Sequence, residues 1–348
     1  MGTIVQKYGG TSVEGREKIM AIARRIAALR REGSGVVVVV SAPGLMTDRL
    51  LDDARSLTDS PSQRELDMLM TAGERISMSL LSIALNSIGC PAVSFTGSQV
   101  GIITDTRHTD ARILEVRPFR VVEQLEAGKV VVVGGFQGVS TAKDVTTLGR
   151  GGSDTTAVVL AAALDAERCE ILTDVDGVYT ADPGLIGGAT RIDEIAYEDM
   201  HEMARLGATV LKEDAVRFAE RHGIKLHVKA GWTDAPGTIV LREPLDTYRP
   251  VVGLTLYERA ELAVWSDEPS SGALEVLGAL GDRVIFVVSG DGLTLAALDG
   301  RAAEAAQRLI ERGARVREAA LLCAVGPDAG GAETAVAAIA AIHGVGKE

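Results

Sequence analysis

The chain has 348 residues, 46% of them hydrophobic, which is enough for a sizeable core and for two domains. Its net charge of −12 and aromatic content of 3% argue against the basic stripe and stacking platforms that nucleic-acid binding requires, so no nucleic-acid partner is expected. Its longest apolar runs, residues 36–40 and 335–342, fall short of a membrane span, and MGTIVQKY is not a signal peptide, so a cytoplasmic protein with no membrane partner is expected.

Residues 3–8 (TIVQKY) predict a strand that delivers Lys7 to Gly9 and Gly10, and Thr11 and Ser12 then cap a helix running toward Arg30. An ammonium and glycine amides at one strand end suit a phosphate, although a lysine at a turn is equally an ordinary solvated residue. The valine run 36–40 predicts a central parallel strand covered on both faces. It ends at Ser41-Ala42-Pro43-Gly44, and Thr47-Asp48 start a helix to Leu57. Ser41 and Thr47 are hydroxyls at a second strand end, where capping is their commoner role.

Residues 64–88 predict a long helix whose apolar face is interrupted by Gly73-Glu74-Arg75. A mid-helix glutamate is more often solvated, but the glycine beside it allows a close approach that would bring Glu74 into a site. Strands are expected at 92–95 and near 101–104, a helix at 118–125 and a strand at 129–133. Gly134, Gly135 and Gly138 around Phe136 and Gln137 then soften another strand end. Cys90, Cys169 and Cys323 stand singly in apolar surroundings and read as buried thiols rather than a disulfide or zinc framework; no metal ligands are assigned.

The chain is organised around residues 148–183. Gly149, Gly151 and Gly152 permit a tight loop, and Ser153, Asp154, Thr155 and Thr156 form an N-cap run before an apolar helix at 155–164. The amides of such a helix end favour an anion. A buried strand at 168–173 ends in Asp174 and Asp176, where open α/β sheets carry ligands. Alone, this stretch is equally a glycine turn, a core helix and solvated aspartates, because GRGGSD is neither common phosphate-loop motif.

Further helices are expected at 198–206 and 209–222, strands at 225–229 and 238–241, and a linker at 242–250. Residues 261–325 then read β, α, β, β, α, β, a ferredoxin-like pattern, with a last helix at 333–343.

Together QKYGGTSV, VVVVVSAPG, TAGERIS, FTGSQVGI, GGFQGV, TLGRGGSDTTA and LTDVDGVYTADP resemble the aspartate kinases of the amino-acid kinase family over roughly residues 3–245. The resemblance implies an α/β fold: a three-layer αβα kinase domain with a mainly parallel central sheet at 1–245, and a smaller ferredoxin-like (ACT-like) α+β domain at 250–348. It implies transfer of the ATP γ-phosphoryl group to L-aspartate with Mg²⁺, and a homodimer paired through the C-terminal domain. Lys7, Asp154 and Glu74 would be catalytic. Ser41, Thr47, Glu74, Arg150 and Ser153 would hold aspartate, Arg150 on its α-carboxylate and Glu74 on its ammonium. Lys7, Gly9, Gly10, Thr173, Asp174, Tyr179, Asp182 and Lys212 would line the nucleotide.

The chain departs from the family pattern at Gly184 and Thr209, where relatives carry basic residues facing the nucleotide. Each lost cation would cost about 1–3 kcal/mol of nucleotide binding unless Lys212 or Arg191 replaces it. The C-terminal pattern is also diverged, with SDEPSSG where the usual module has Pro-Gly, and it holds about one module where the family carries two, which puts lysine or threonine feedback in doubt. The remaining readings are a kinase of another acidic amino acid and a non-catalytic amino-acid-binding subunit.

Overall fold

A computed structural model describes residues 2–149, 151–184, 188–233 and 235–244, and beyond them the backbone of four strands in the C-terminal region. The chain forms two units. One comprises Met1–Tyr179, Thr190–His201 and Thr209–Tyr248, and the other Thr180–Ala189, Glu202–Ala208 and Arg249–Glu348.

Along the chain the elements are β1 (Thr3–Tyr8), α1 (Arg16–Arg31), β2 (Gly35–Val40), α2 (Met46–Leu57), α3 (Gln63–Ser87), β3 (Ala92–Phe95), β4 (Ile102–Thr104), β5 (Ile113–Val116), α4 (Phe119–Glu126), β6 (Val130–Gly134), β7 (Gln137–Ser140), β8 (Val145–Thr147), α5 (Gly152–Ala163) and β9 (Arg168–Thr173). Then come β10 (Val178–Tyr179), β11 (Arg191–Ile192), β12 (Glu194–Ala196), α6 (Tyr197–Arg205), α7 (Glu213–His222), β13 (Leu226–Ala230) and β14 (Thr238–Leu241).

The main sheet has the order β12-β14-β13-β9-β1-β2-β6-β3. From β13 to β3 every pairing is parallel, and β14 is antiparallel to β13. The valine runs explain its centre: residues 36–40 and 130–133 are wholly buried, as strands covered on both faces must be. Alternation then sorts the layers. Val36, Val38, Val40 and Tyr8 pack with Ile19, Ile22 and Ile26 of α1 and Met78, Leu81 and Leu85 of α3. Side chains of the other parity, among them Lys7, point to the opposite face, where α5 lies on β1, β2 and β9 and α7 packs on α5. The arrangement is a three-layer αβα fold around a mainly parallel sheet. From β1 the chain builds β2, β3 and β6 on one side, then crosses to β9 and β13 on the other. That reversal opens a crevice at the carboxyl ends of the strands.

A second sheet, β5-β4-β7-β8, lies beside α3. Of these strands only β4 shows in the pattern of the sequence. β7 and β8 are short and bury Gln137, Ser140, Thr146 and Thr147, so no apolar alternation marks them. Some boundaries also differ from expectation. Residues 10–12 form a 3₁₀ turn, and α1 starts only after Gly15, at φ 87°. α5 starts at Gly152, behind a left-handed Gly151, and no side chain caps it.

α3 has the length and hydropathy of a membrane span, but 56% of its most apolar window is buried in the protein. The C-terminal strands β15 (Gly253–Trp265), β16 (Val284–Gly290), β17 (Leu293–Asp299) and β18 (Arg315–Val325) form an antiparallel sheet in the order β16-β17-β15-β18. The two helices of the β, α, β, β, α, β pattern and the last helix expected at 333–343 lie outside the described residues, as do most of the expected linker and the Cys323 side chain.

Candidate active site

The carboxyl ends of β1, β2, β6 and β9 are stitched together by backbone. The Gly9 amide donates to the Leu172 carbonyl (3.3 Å), the Ser41 amide to Tyr8 (3.2 Å), the Gly44 amide to Gly10 (3.1 Å) and the Gly135 amide to Val40 (2.9 Å). Glycine is required at two of these contacts. A Cβ on Gly10 would stand 2.5 Å from the Ala42 carbonyl oxygen, and one on Gly135 would stand 2.6 Å from Ser153 Oγ. Bare backbone therefore lets separate loops close on one crevice.

Lys7 reaches into it from β1. Its Nζ is 2.7 Å from Asp154 Oδ1 in the first turn of α5, with both side chains largely buried. The approach is poorly aligned for a hydrogen bond, so it is chiefly a charge contact. Lys7 Nζ also lies 3.8 Å from where a Cβ on Gly9 would be, beside the glycine turn. Ser153 precedes Asp154 and rests against Gly135.

Glu74 enters from the opposite layer. α3 comes close to the β2 end because residue 73 is glycine: a Cβ there would be 2.5 Å from the Ala42 Cβ and 3.6 Å from Met46 Sδ. Glu74 is 3% exposed, and its Oε1 accepts the Ala42 amide at 3.1 Å. Its Oε2 is buried with no partner among the described residues. Burial pushes the carboxyl up from 4.5 to about 7, against the opposing pull of backbone hydrogen bonds that include the Ala42 amide. Ser41 and Thr47, both half-buried, lie at the β2 end and in the first turn of α2.

On the other side of Lys7, Thr173 ends β9 and donates its hydroxyl to Asp174 at 3.0 Å; Asp174 is exposed. Tyr179 donates its hydroxyl to Asp176 at 2.8 Å, and that bond raises its pKa. Lys212 is exposed, and its aliphatic stem covers Gly151, where any Cβ would overlap it. Arg191 pairs with Asp193 at 2.8 Å, and its stem lies against Gly177. Asp182 belongs to the second unit, where it is exposed and accepts the Gly184 amide at 2.7 Å. Thr209 is exposed. Arg150 lies outside the described residues.

The structure thus gathers Lys7, Gly9, Gly10, Ser41, Glu74, Ser153 and Asp154 at adjoining strand ends. Two further residues in this region were not singled out as site residues in the sequence. Ser12, in the turn after Gly10, is 4% exposed and its Oγ has no partner among the described residues. Gln137 is 2% exposed, and its Nε2, without a partner among the described residues, lies 3.0 Å from where a Cβ on Gly134 would be, near Glu74. The glycines flanking Gln137 were the available signal. Ser12 gave none beyond ordinary capping.

The amino acid kinase family model matches residues 2–230. Aspartokinase from Mycobacterium tuberculosis is 51% identical over 267 residues, 76% of this chain and 63% of that protein. Aspartokinase from Corynebacterium glutamicum is 46% identical over 294 residues, 82% of this chain and 70% of that one. The crystal structure of E. coli aspartokinase III in complex with aspartate and ADP superposes with a TM-score of 0.78 at 25% identity, covering 97% of this chain and 91% of that one. The chain spans a little under two thirds of the Mycobacterium protein's length. With the strand-end glycines, the Lys7–Asp154 pair and the buried Glu74 in place, these likenesses show that the chain belongs to the amino acid kinase family and groups with its aspartokinases.

Proposed function

We propose that this chain is an aspartate kinase, transferring the γ-phosphoryl group of ATP to the side-chain carboxylate of L-aspartate and releasing ADP and 4-phospho-L-aspartate, the entry step to lysine, threonine and methionine. One observation carries the reading. Glu74 Oε2, a buried carboxylate oxygen without a partner among the described residues, and the lysine–aspartate pair Lys7 and Asp154 stand at adjoining strand ends, Glu74 against Ala42 and Gly134, and Ser153, next to Asp154, against Gly135. An amino acid's ammonium supplies the charge and the donors that Glu74 lacks.

In the transfer, an aspartate oxygen bonds to the γ-phosphorus as the bond to the bridging oxygen breaks, and that electron pair leaves with ADP. Positioning and charge compensation suffice, and no protein nucleophile takes part. Lys7 offsets charge on the moving phosphoryl group, and Asp154 holds Lys7 in place. Glu74 takes the ammonium, the hydroxyls of Ser41, Thr47 and Ser153 face the rest of the acceptor, and Arg150 suits its α-carboxylate as a fork. The amides of Gly9 and Gly10 serve the phosphates, while Thr173, Asp174 and Tyr179 line the nucleoside. Mg²⁺, which would be held largely by phosphate oxygens and water, would supply neutralisation of the polyphosphate. Lys212, with its stem on Gly151, supports replacement of the cations missing at Gly184 and Thr209.

Hydroxylamine trapping with aspartate and MgATP tests this. The expected result is aspartyl hydroxamate from the wild type and almost none from Lys7→Ala. No product at millimolar substrate, or undiminished product from Lys7→Ala, sinks the proposal. The exposed Gly184 and Thr209 favour one competing reading, a subunit that binds the amino acid without catalysis. Calorimetry separates the two, since such a subunit binds aspartate but no non-hydrolysable ATP analogue with Mg²⁺. The same proposal assigns catalysis to 1–245 and, to the ACT-like 250–348, the pairing of two copies, which sedimentation of the full chain and of a 1–245 truncation reads.

A further inference from the structure

We infer that Asp67 is a positioning residue of the proposed active site, holding the strap at residues 105–112 so that it buttresses Gly149 and sets the turn that presents Ser153 and Asp154. The inference rests on the kinase reading for its consequence but on separate contacts for its geometry.

Asp67 lies on α3, wholly buried. Its Oδ2 is 2.7 Å from His108 Nδ1, both its oxygens accept the Thr109 amide at 3.0 and 3.2 Å, and Oδ1 accepts the Thr147 hydroxyl at 2.5 Å. One carboxylate thus ties a helix, a loop and the last residue of β8. The strap is closed at its base, where the Asp105 amide donates to Arg112 O at 3.0 Å and Asp105 Oδ1 accepts the Arg112 amide at 3.1 Å. A second tie fastens the strap's far end to β8, because the Ala111 amide donates to the Thr147 carbonyl at 2.9 Å.

The tip of this strap is strained. Thr109 has φ 64°, a left-handed conformation that a β-branched residue adopts only when its surroundings enforce it. The enforcing contact is Asp67 on the Thr109 amide. What the strain achieves is contact with the glycine loop. A Cβ on Gly149, at φ 74°, would stand 3.0 Å from Asp110 Oδ1 and 3.5 Å from the Thr109 carbonyl oxygen. From Gly149 the position passes along the backbone: the Gly152 amide donates to Gly149 O and the Asp154 amide to Gly151 O, each at 3.1 Å. Ser153 and Asp154 therefore stand on a turn whose outer wall is the strap.

The test compares wild type, Asp67→Asn and Asp67→Asn with Thr109→Gly, using steady-state kinetics and amide hydrogen exchange. The asparagine keeps the shape but presents an NH₂ to a ring of donors. Asp67→Asn is expected to raise KM for aspartate about tenfold with KM for ATP within about twofold, because sub-ångström misplacement is costly at a reacting centre. Exchange in residues 148–154 should quicken about tenfold, with β2 unchanged. Adding Thr109→Gly, which accepts a positive φ without enforcement, should restore part of kcat/KM. If Asp67→Asn fails to fold, Thr147→Val removes a single contact and should shift the same readouts by a smaller factor. A lowered thermal midpoint with unchanged kinetics and unchanged exchange at 148–154 overturns the inference and leaves Asp67 a structural group alone. Inactive wild type with quickened exchange in the variant counts against the kinase reading and leaves the positioning role standing.

Discussion

Helix α3 buries two carboxylates on one face, two turns apart, and they are treated in opposite ways. Asp67 is ringed by donors from His108, Thr109 and Thr147. Glu74 has the Ala42 amide on one oxygen and, among the described residues, nothing on the other. A buried carboxylate whose two oxygens both accept hydrogen bonds belongs to the architecture, because removing a donor leaves the remaining polar groups short. A buried carboxylate left short is unstable as it stands and is completed by a ligand. On the proposed reading, the same helix supplies one group that shapes the site and another that takes the substrate.

The sharpest way to break that contrast is to remove the cation at the crevice. Lys7→Ala is expected to lower kcat by about 10³, the scale for losing one charged contact to a developing transition state. Some fall in the thermal midpoint is also expected, because Asp154 is buried and loses its counter-charge, but Lys7 keeps some solvent exposure and the fall should be smaller than the loss of activity. An equal loss of stability and activity would place Lys7 with Asp67, among the structural groups. Next in size is Glu74→Gln, which keeps the shape and the acceptor for the Ala42 amide but removes the charge. KM for aspartate should rise about 10- to 100-fold, the value of a hydrogen bond between charged groups, with ATP binding unaffected. Unlike any change at Asp67, it should leave exchange at 148–154 unaltered, which hydrogen exchange checks directly.

Much of this was legible in the sequence, and the reasons differ by region. The valine runs of β2 and β6 announce strands covered on both faces, and the apolar α5 behind its glycines announces a buried helix. Gly73 beside Glu74 marks a close approach, which the Ala42 contact explains. The strap could not be read. Asp67 looks like one more charge on an amphipathic helix, and its partners lie at sequence distances of 41, 42 and 80 residues. Only its spacing of two turns from Glu74, on the stripe with Met70 and Thr71, carried a trace of its burial. β7 and β8 were missed for a related reason. Buried threonines and a buried glutamine are stabilised by tertiary hydrogen bonds, such as Thr104 Oγ1 to Thr146 Oγ1 at 2.7 Å, and these leave no periodic mark.

The smallest effect, counted per pH unit, is a pH dependence, and it distinguishes the unfinished carboxylate most cleanly. Burial raises Glu74 from 4.5 to about 7, so between those values the folded protein holds a proton that the unfolded chain has released. Its contribution to stability is thus fully present below about pH 4.5 and is lost as pH rises through about 7, roughly 3 kcal/mol in all. Binding runs the other way. An ammonium pairs with the ionised form, so aspartate affinity should fall up to tenfold per unit as pH drops below about 7 and level off above it. Opposite slopes from one residue are hard to imitate with a histidine elsewhere, and Glu74→Gln should flatten both. Calorimetric titration of aspartate together with denaturant melts, over about pH 5.5 to 8.5, reads the two slopes on the same protein. An affinity that stays level across that range in the wild type would mean that Glu74 does not meet the ammonium, and the contrast with Asp67 would lose its functional half.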